Sequence, residues 1–100
     1  MIETLVALQV TDDAGYAEYR REMTPLLEAV GGSFGYDFRV SEVLIAPTET
    51  PINRVFTIRF PTREANEAFF ADPAYLAIRA EHFAPSVAET IRIATYETDG

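Results

Sequence analysis

Few side chains in this sequence could move a proton or hold a charged ligand, and their types narrow the chemistry at once. His82 is the single histidine, cysteine is absent, and all eight basic residues are arginine. That composition excludes thiolate nucleophiles, disulfides, sulfur-ligated metals, lysine Schiff bases and any site needing two histidines. Asp37 and Arg39 lie two apart, a spacing that puts them on one side of a strand. A guanidinium is a planar fork of donors, so Arg39, Arg59 and Arg92 could bind a carboxylate, a phosphate or an enolate. Asp37 could act as a base if desolvated. His82 titrates near neutrality by default and is the second candidate for proton transfer. Gln9 and Tyr96 could orient a ligand through hydrogen bonds. Each residue also has a plainer reading. His82 sits late in a helix, where the dipole favours it. Asp37 and a cross-strand arginine could form a structural ion pair at a subunit boundary. Tyr96 and Gln9 could simply fill space. No cofactor is implied: with one histidine and no cysteine, haem or metal binding is the least favoured of the readings.

These residues need a scaffold, and 100 residues provide one domain, 1–100. Hydrophobic residues make up 48% and charged residues 24%, which argues for a folded core over disorder. The net charge of −8 disfavours nucleic acid and anionic membranes as partners. The N-terminal segment alternates and carries Glu3, unlike a signal peptide. No apolar run approaches the ~20 residues needed to span a bilayer. The expected location is the cytoplasm.

Residues 4–10 are β-rich and read as a first strand. Thr11-Asp12-Asp13 then offers an N-cap, and Tyr16, Tyr19, Met23, Leu26, Leu27 and Val30 recur at helical spacing. Pro25 should bend this helix or start its last segment, and Gly31-Gly32 should end it. A long second strand is expected over 34–45, followed by a loop with Pro47 and Pro51. Residues 54–60 form a third strand. Thr62 caps a second helix, which breaks at Asp72-Pro73 and restarts toward Phe83, ending before Pro85. Residues 87–97 form the fourth strand. The order βαββαβ is the split-βαβ, ferredoxin-like plan: α+β, an antiparallel sheet with both helices on one face.

Alternation predicts which side chains meet the helices. Val6, Leu8 and Val10, Tyr36, Phe38 and Val40, Phe56, Ile58 and Phe60, and Ile91 and Ile93 should face them. Leu5, Ala7, Gln9, Asp37, Arg39, Ser41, Val43, Val55, Thr57, Arg59, Arg92, Ala94 and Tyr96 should occupy the open face. A bulge in the second strand would flip part of its assignment. This face is too apolar for water and too rich in arginine for a dry core. It is expected to pair with that of a second copy, giving a homodimer with a small ligand space on each open sheet face.

Several segments resemble one family. They are Tyr16-Ala17-Glu18-Tyr19-Arg20, Gly31-Gly32-Ser33-Phe34, Asn53-Arg54-Val55-Phe56 and Phe69-Phe70-Ala71-Asp72-Pro73-Ala74-Tyr75. In order and spacing they are similar to the domain of unknown function 1330 family, over nearly the whole chain. The resemblance implies the dimeric α+β-barrel superfamily, in which ferredoxin-like protomers pack their sheets into a shared barrel. That superfamily includes cofactor-independent monooxygenases, haem-degrading enzymes, lactone isomerases and stress-responsive proteins. The family brings no established catalytic motif, so the resemblance bears on the fold and hardly on the function. The expected function is that of a homodimer acting, without cofactor, on a small anionic or enolisable molecule. The rival is a non-catalytic metabolite-binding or assembly module.

Overall fold

Alternating apolar residues in the first and third strands make one greasy sheet face, and amphipathic helices close over it. The computed structural model describes residues 1–99. Its strands are β1 (Ile2–Val10), β2 (Ser33–Arg39), β3 (Arg54–Phe60) and β4 (Val87–Glu97). The helices are α1 (Asp13–Ala29), α2 (Arg63–Ala71) and α3 (Pro73–Ile78). From α3 the chain continues through a π-helical turn, Arg79–Phe83, into a last short turn, α4 (Ala84–Ser86). The sheet order is β2-β3-β1-β4, and each neighbouring pair is antiparallel. Val6, Leu8, Val10, Phe56, Ile58 and Phe60 of the sheet pack in one core with Tyr16, Tyr19, Met23, Leu27, Phe69 and Tyr75 of the helices. The helices therefore share one face, as the ferredoxin-like plan requires.

The predicted caps form. Asp12 accepts from the Gly15 amide at 3.1 Å, Thr62 from Ala65 at 3.1 Å, and Asp72 from Ala74 at 2.9 Å. Gly31 ends the first helix segment with φ of 79°, the left-handed region where any other L-residue pays steric strain. Pro25 lies inside a continuous α1, and the expectation of a helix end before Pro85 needs correction, because Pro85 lies inside α4.

Larger corrections concern β2 and β4. β2 stops at Arg39, because β3 begins at Arg54 and the two are paired in register. Past Arg39 only the Val40 amide continues the ladder, to the Asn53 carbonyl at 2.9 Å. Residues 40–53 form a connection pinned at its far end by Asn53, whose side chain donates to the Val10 carbonyl and accepts from the Val10 amide, each at 2.8 Å.

A bulge lies between Phe34 and Asp37 in β2. Gly35 permits it, since a Cβ there would lie 2.5 Å from Thr57 Oγ1. The Thr57 hydroxyl accepts from the Tyr36 amide at 2.8 Å. Asp37 thus pairs with Phe56 and Arg39 with Arg54, which turns both acid and arginine to the helix side. Tyr36 and Phe38 face outward, 66% and 54% exposed, contrary to simple alternation. In β4 the register slips between Leu5 and Val6 of its partner, so Leu5 opposes Ala94 but Val6 opposes Arg92. Ile93 is the extra residue. Arg92 therefore turns toward the helices, and Ile91, opposite Ala7, turns to the open face.

Candidate functional site

A cavity of about 310 Å³ lies between the helix-covered side of the sheet and the helices. The sequence led to an expectation of a ligand space on the open face; this cavity lies on the other side, and the slip in β4 turns Arg92 into it. Its sheet wall includes Thr4, Val6 and Leu8 of β1, Phe56 and Ile58 of β3, and Thr90, Arg92 and Thr95 of β4. Tyr19, Arg20 and Met23 of α1 line it from above. The α2 stripe Arg63, Asn66, Glu67 and Phe70 follows the i, i+3, i+4, i+7 spacing of one helical face, and all four line the cavity. Tyr75 and the π-turn residues Arg79 and Phe83 complete the roof. The wider π turn sits where it presents Arg79 to the cavity, a common place for such turns.

The charge balance of this wall opposes that of the molecule. The chain carries −8 overall. The cavity is lined by Arg20, Arg63, Arg79 and Arg92 against one carboxylate, Glu67. Arg20 is engaged: it lies 3.3 Å from Asp37, donates to Tyr16 Oη at 2.8 Å and stacks 3.7 Å above the Phe34 ring. Arg63 and Arg92 have no ion-pair or hydrogen-bond partner among the described residues. Arg79 lies over the Phe83 ring at 5.4 Å, and its charge pulls the Tyr75 phenol down against the larger effect of burial.

Polar groups deeper in the wall are neutral. Tyr19 and Tyr75 are buried, with their hydroxyl oxygens 2.8 Å apart. Burial is the main reason that both phenols are pushed above the ordinary tyrosine range, so each keeps its proton at neutral pH. Burial also raises Tyr16, against the opposing pull of Arg20. Thr4 and Thr95 share a hydroxyl contact at 3.1 Å.

Of the residues singled out by sequence, Arg92 alone reaches the cavity. Asp37 receives two hydrogen bonds from Arg54, both 2.8 Å. Those bonds, with Arg20 nearby, hold its carboxyl below the usual carboxylate range. Arg39 is 76% exposed and 3.9 Å from Asp13. His82 pairs through Nε2 with Glu22 on α1 and lies 3.9 Å from Glu81, outside the cavity wall. Arg59 and Tyr96 lie on the open face, both directed at Glu3. The Arg59 Nε contact is an ion pair at 2.9 Å without hydrogen-bond alignment, and the Tyr96 hydroxyl donates to Glu3. Gln9 is also on the open face, opposite Glu89. Among the described residues no cluster of His, Cys, Asp and Glu is placed to hold a metal.

The sequence analysis did not single out Arg63, Arg79 or Tyr75, and it read Tyr19 only as one residue of an apolar helical face. The signal for Arg63 was present: three polar residues and Phe70 on one helical stripe. Arg79 had no such signal, because its direction depends on the π turn.

The architecture defines an antiparallel α+β protein of the ferredoxin-like class. The sequence pattern of the domain of unknown function DUF1330 matches residues 4–96, and the chain belongs to that family. A protein of unknown function from Rhodopseudomonas palustris superposes with a TM-score of 0.80 at 21% identity, covering 97% of this chain and 81% of that one. A putative antibiotic biosynthesis monooxygenase from Nitrosomonas europaea gives a TM-score of 0.64 at 22% identity, covering 100% of both chains. A dimeric ferredoxin-like protein of unknown function from Thermobifida fusca gives 0.62 at 14% identity, covering 97% and 90%. At these identities the likeness concerns the fold. None of the curated proteins matches the chain. No described helix is long and apolar enough to cross a membrane.

Proposed function

We propose that this protein binds a small anionic or enolisable organic molecule in the cavity between its sheet and helices. One observation carries the reading: Arg63, Arg79 and Arg92 line an apolar-floored cavity without carboxylate partners, in a chain whose net charge is −8. Unpaired cations gathered at one concavity of an acidic protein are a site for an anion. About 310 Å³ suits a molecule of roughly one ring with its substituents, at the small end of ligand sites. The aromatic rings of Phe34, Phe56, Phe70 and Phe83 on the wall suit a flat, apolar body. The same guanidiniums would stabilise negative charge developing on an enolisable ligand, which is the enzymatic form of the reading. Glu67 is the carboxylate placed on the wall to accept a proton.

Titration calorimetry with benzoate tests the binding. Arg63→Ala and Arg92→Ala should each weaken it about tenfold, the order expected for one charged hydrogen bond. Added salt should weaken it further. Undetectable binding of benzoate to the unaltered protein, or full affinity in both variants, would remove the reading.

The open face supports a second part of the proposal, a homodimer formed through the two sheets. Tyr36 and Phe38 stack at 5.6 Å between centroids and remain largely exposed next to Val55 of β3, on the face that Ile91 and Ala94 of β4 also share. A second copy is the proposed cover, in keeping with the T. fusca neighbour described as dimeric. Sedimentation at micromolar concentration should show a species near twice 11.2 kDa. We place the protein in the cytoplasm, in line with its cysteine-free composition.

A further inference from the structure

The hydrogen bonds of the tyrosine pair leave one proton without an acceptor. Tyr19 and Tyr75 bring two hydroxyl protons to the cavity wall, 5% and 4% exposed. Their mutual contact at 2.8 Å uses one of them, whichever oxygen donates. No other acceptor for either hydroxyl exists among the described residues. A buried O–H without a partner is costly, and native structures rarely leave one unless a ligand or water completes it. The pair therefore brings two donors to the wall and uses one, which leaves a phenolic proton for a ligand in the cavity.

We propose that the Tyr19–Tyr75 pair is a neutral oxygen-binding subsite for a carboxylate ligand carrying an oxygen acceptor on the neighbouring carbon, such as a 2-oxo acid or its enol. The inference rests on the anion-binding reading above and adds the ligand class to it. Adjacency follows from Arg79, which stands four residues beyond Tyr75 on one helical path, lines the same cavity and belongs to the arginines assigned to the anion. A carboxylate on Arg79 therefore places its α-oxygen beside the unplaced phenolic proton. A neutral phenolic donor, itself accepting from or backed by the second tyrosine, suits a carbonyl or enolate oxygen, because its strength as a donor rises with the charge on that oxygen.

A matched pair of probes tests this. Benzoylformate has a carbonyl next to its carboxylate; 2-phenylacrylate replaces that oxygen with CH₂ in the same shape. Titration calorimetry should show benzoylformate bound about fivefold more tightly by the unaltered protein. In Tyr19→Phe/Tyr75→Phe the preference should vanish or reverse, while Arg92→Ala should weaken both probes alike. Equal affinity of both probes for the unaltered protein would overturn the subsite and leave the anion site standing. A preference that survives the double variant would do the same. Binding of neither probe would overturn the anion reading and the subsite together. Should the double variant fail to fold, the infrared carbonyl stretch of benzoylformate bound to the unaltered protein decides. A shift to lower frequency is expected, and an unshifted band overturns the subsite.

Discussion

At the scale of single residues, this protein separates arginines that hold the fold from arginines that remain available. Arg20 and Arg54 are held by Asp37, and Arg59 is held by Glu3. Arg63 and Arg92 have no such partner among the described residues, which is why they are assigned to a ligand. Asp37→Asn should therefore destabilise the fold without abolishing anion binding. The expected loss is about 1–2 kcal/mol by urea unfolding at neutral pH, since two partly buried guanidiniums lose their counter-charge. The pH dependence has a defined sign. The folded carboxyl titrates below its ordinary value of 3.8. Its contribution is present above the unfolded pKa and disappears as pH falls through the lower folded one. Unfolding curves of the unaltered protein should shift to lower urea on acidification below about pH 4, with a shallower shift in Asp37→Asn.

Elements are aimed by small backbone devices. The bulge at Gly35 turns Asp37 inward, and the slip at Ile93 turns Arg92 inward. Without the second, the site would lose its one contribution from a strand arginine. Gly35→Ala would place a Cβ against Thr57 Oγ1 and should displace that edge strand. The 40–53 connection depends on Asn53, which substitutes for a strand partner at Val10. Asn53→Ala removes both side-chain bonds and leaves the Val10 amide and carbonyl unpaired. It should cost about 1–3 kcal/mol and speed proteolysis within 40–52, read by mass spectrometry of the nicked chain.

For the whole molecule, the sheet's two faces have different tasks in our reading. The helix-covered face carries the cavity, and the open face carries the proposed subunit contact. Phe38→Asp puts a charge into that contact, so it should shift the sedimenting species from dimer to monomer. Benzoate affinity should survive in the monomer if the cavity is complete within one chain. Net charge −8 repels anions at long range. The arginine cluster must overcome that field locally, so added salt has two opposing effects. Screening the ligand's attraction to nearby guanidiniums should dominate, and the salt dependence of the affinity measures the balance.

Much of the fold was legible in the residues. Alternation in β1 and β3, the caps at Asp12, Thr62 and Asp72, and the left-handed turn at Gly31 are local effects, set within a few residues. The order βαββαβ follows from them, and with it the layering of helices on one sheet face. The site was not legible to the same degree. Strand alternation assigns faces correctly only while pairing stays in register, and a single extra residue reverses every side chain beyond it. Such an extra residue at β2 and again at β4 moved Asp37, Arg39 and Arg92 from one face to the other. Composition alone established that every permanently charged basic side chain here is arginine, since lysine is absent. Which arginines stand free at a cavity was decided by tertiary structure, because register, helix direction and ion pairing depend on residues far apart in the chain.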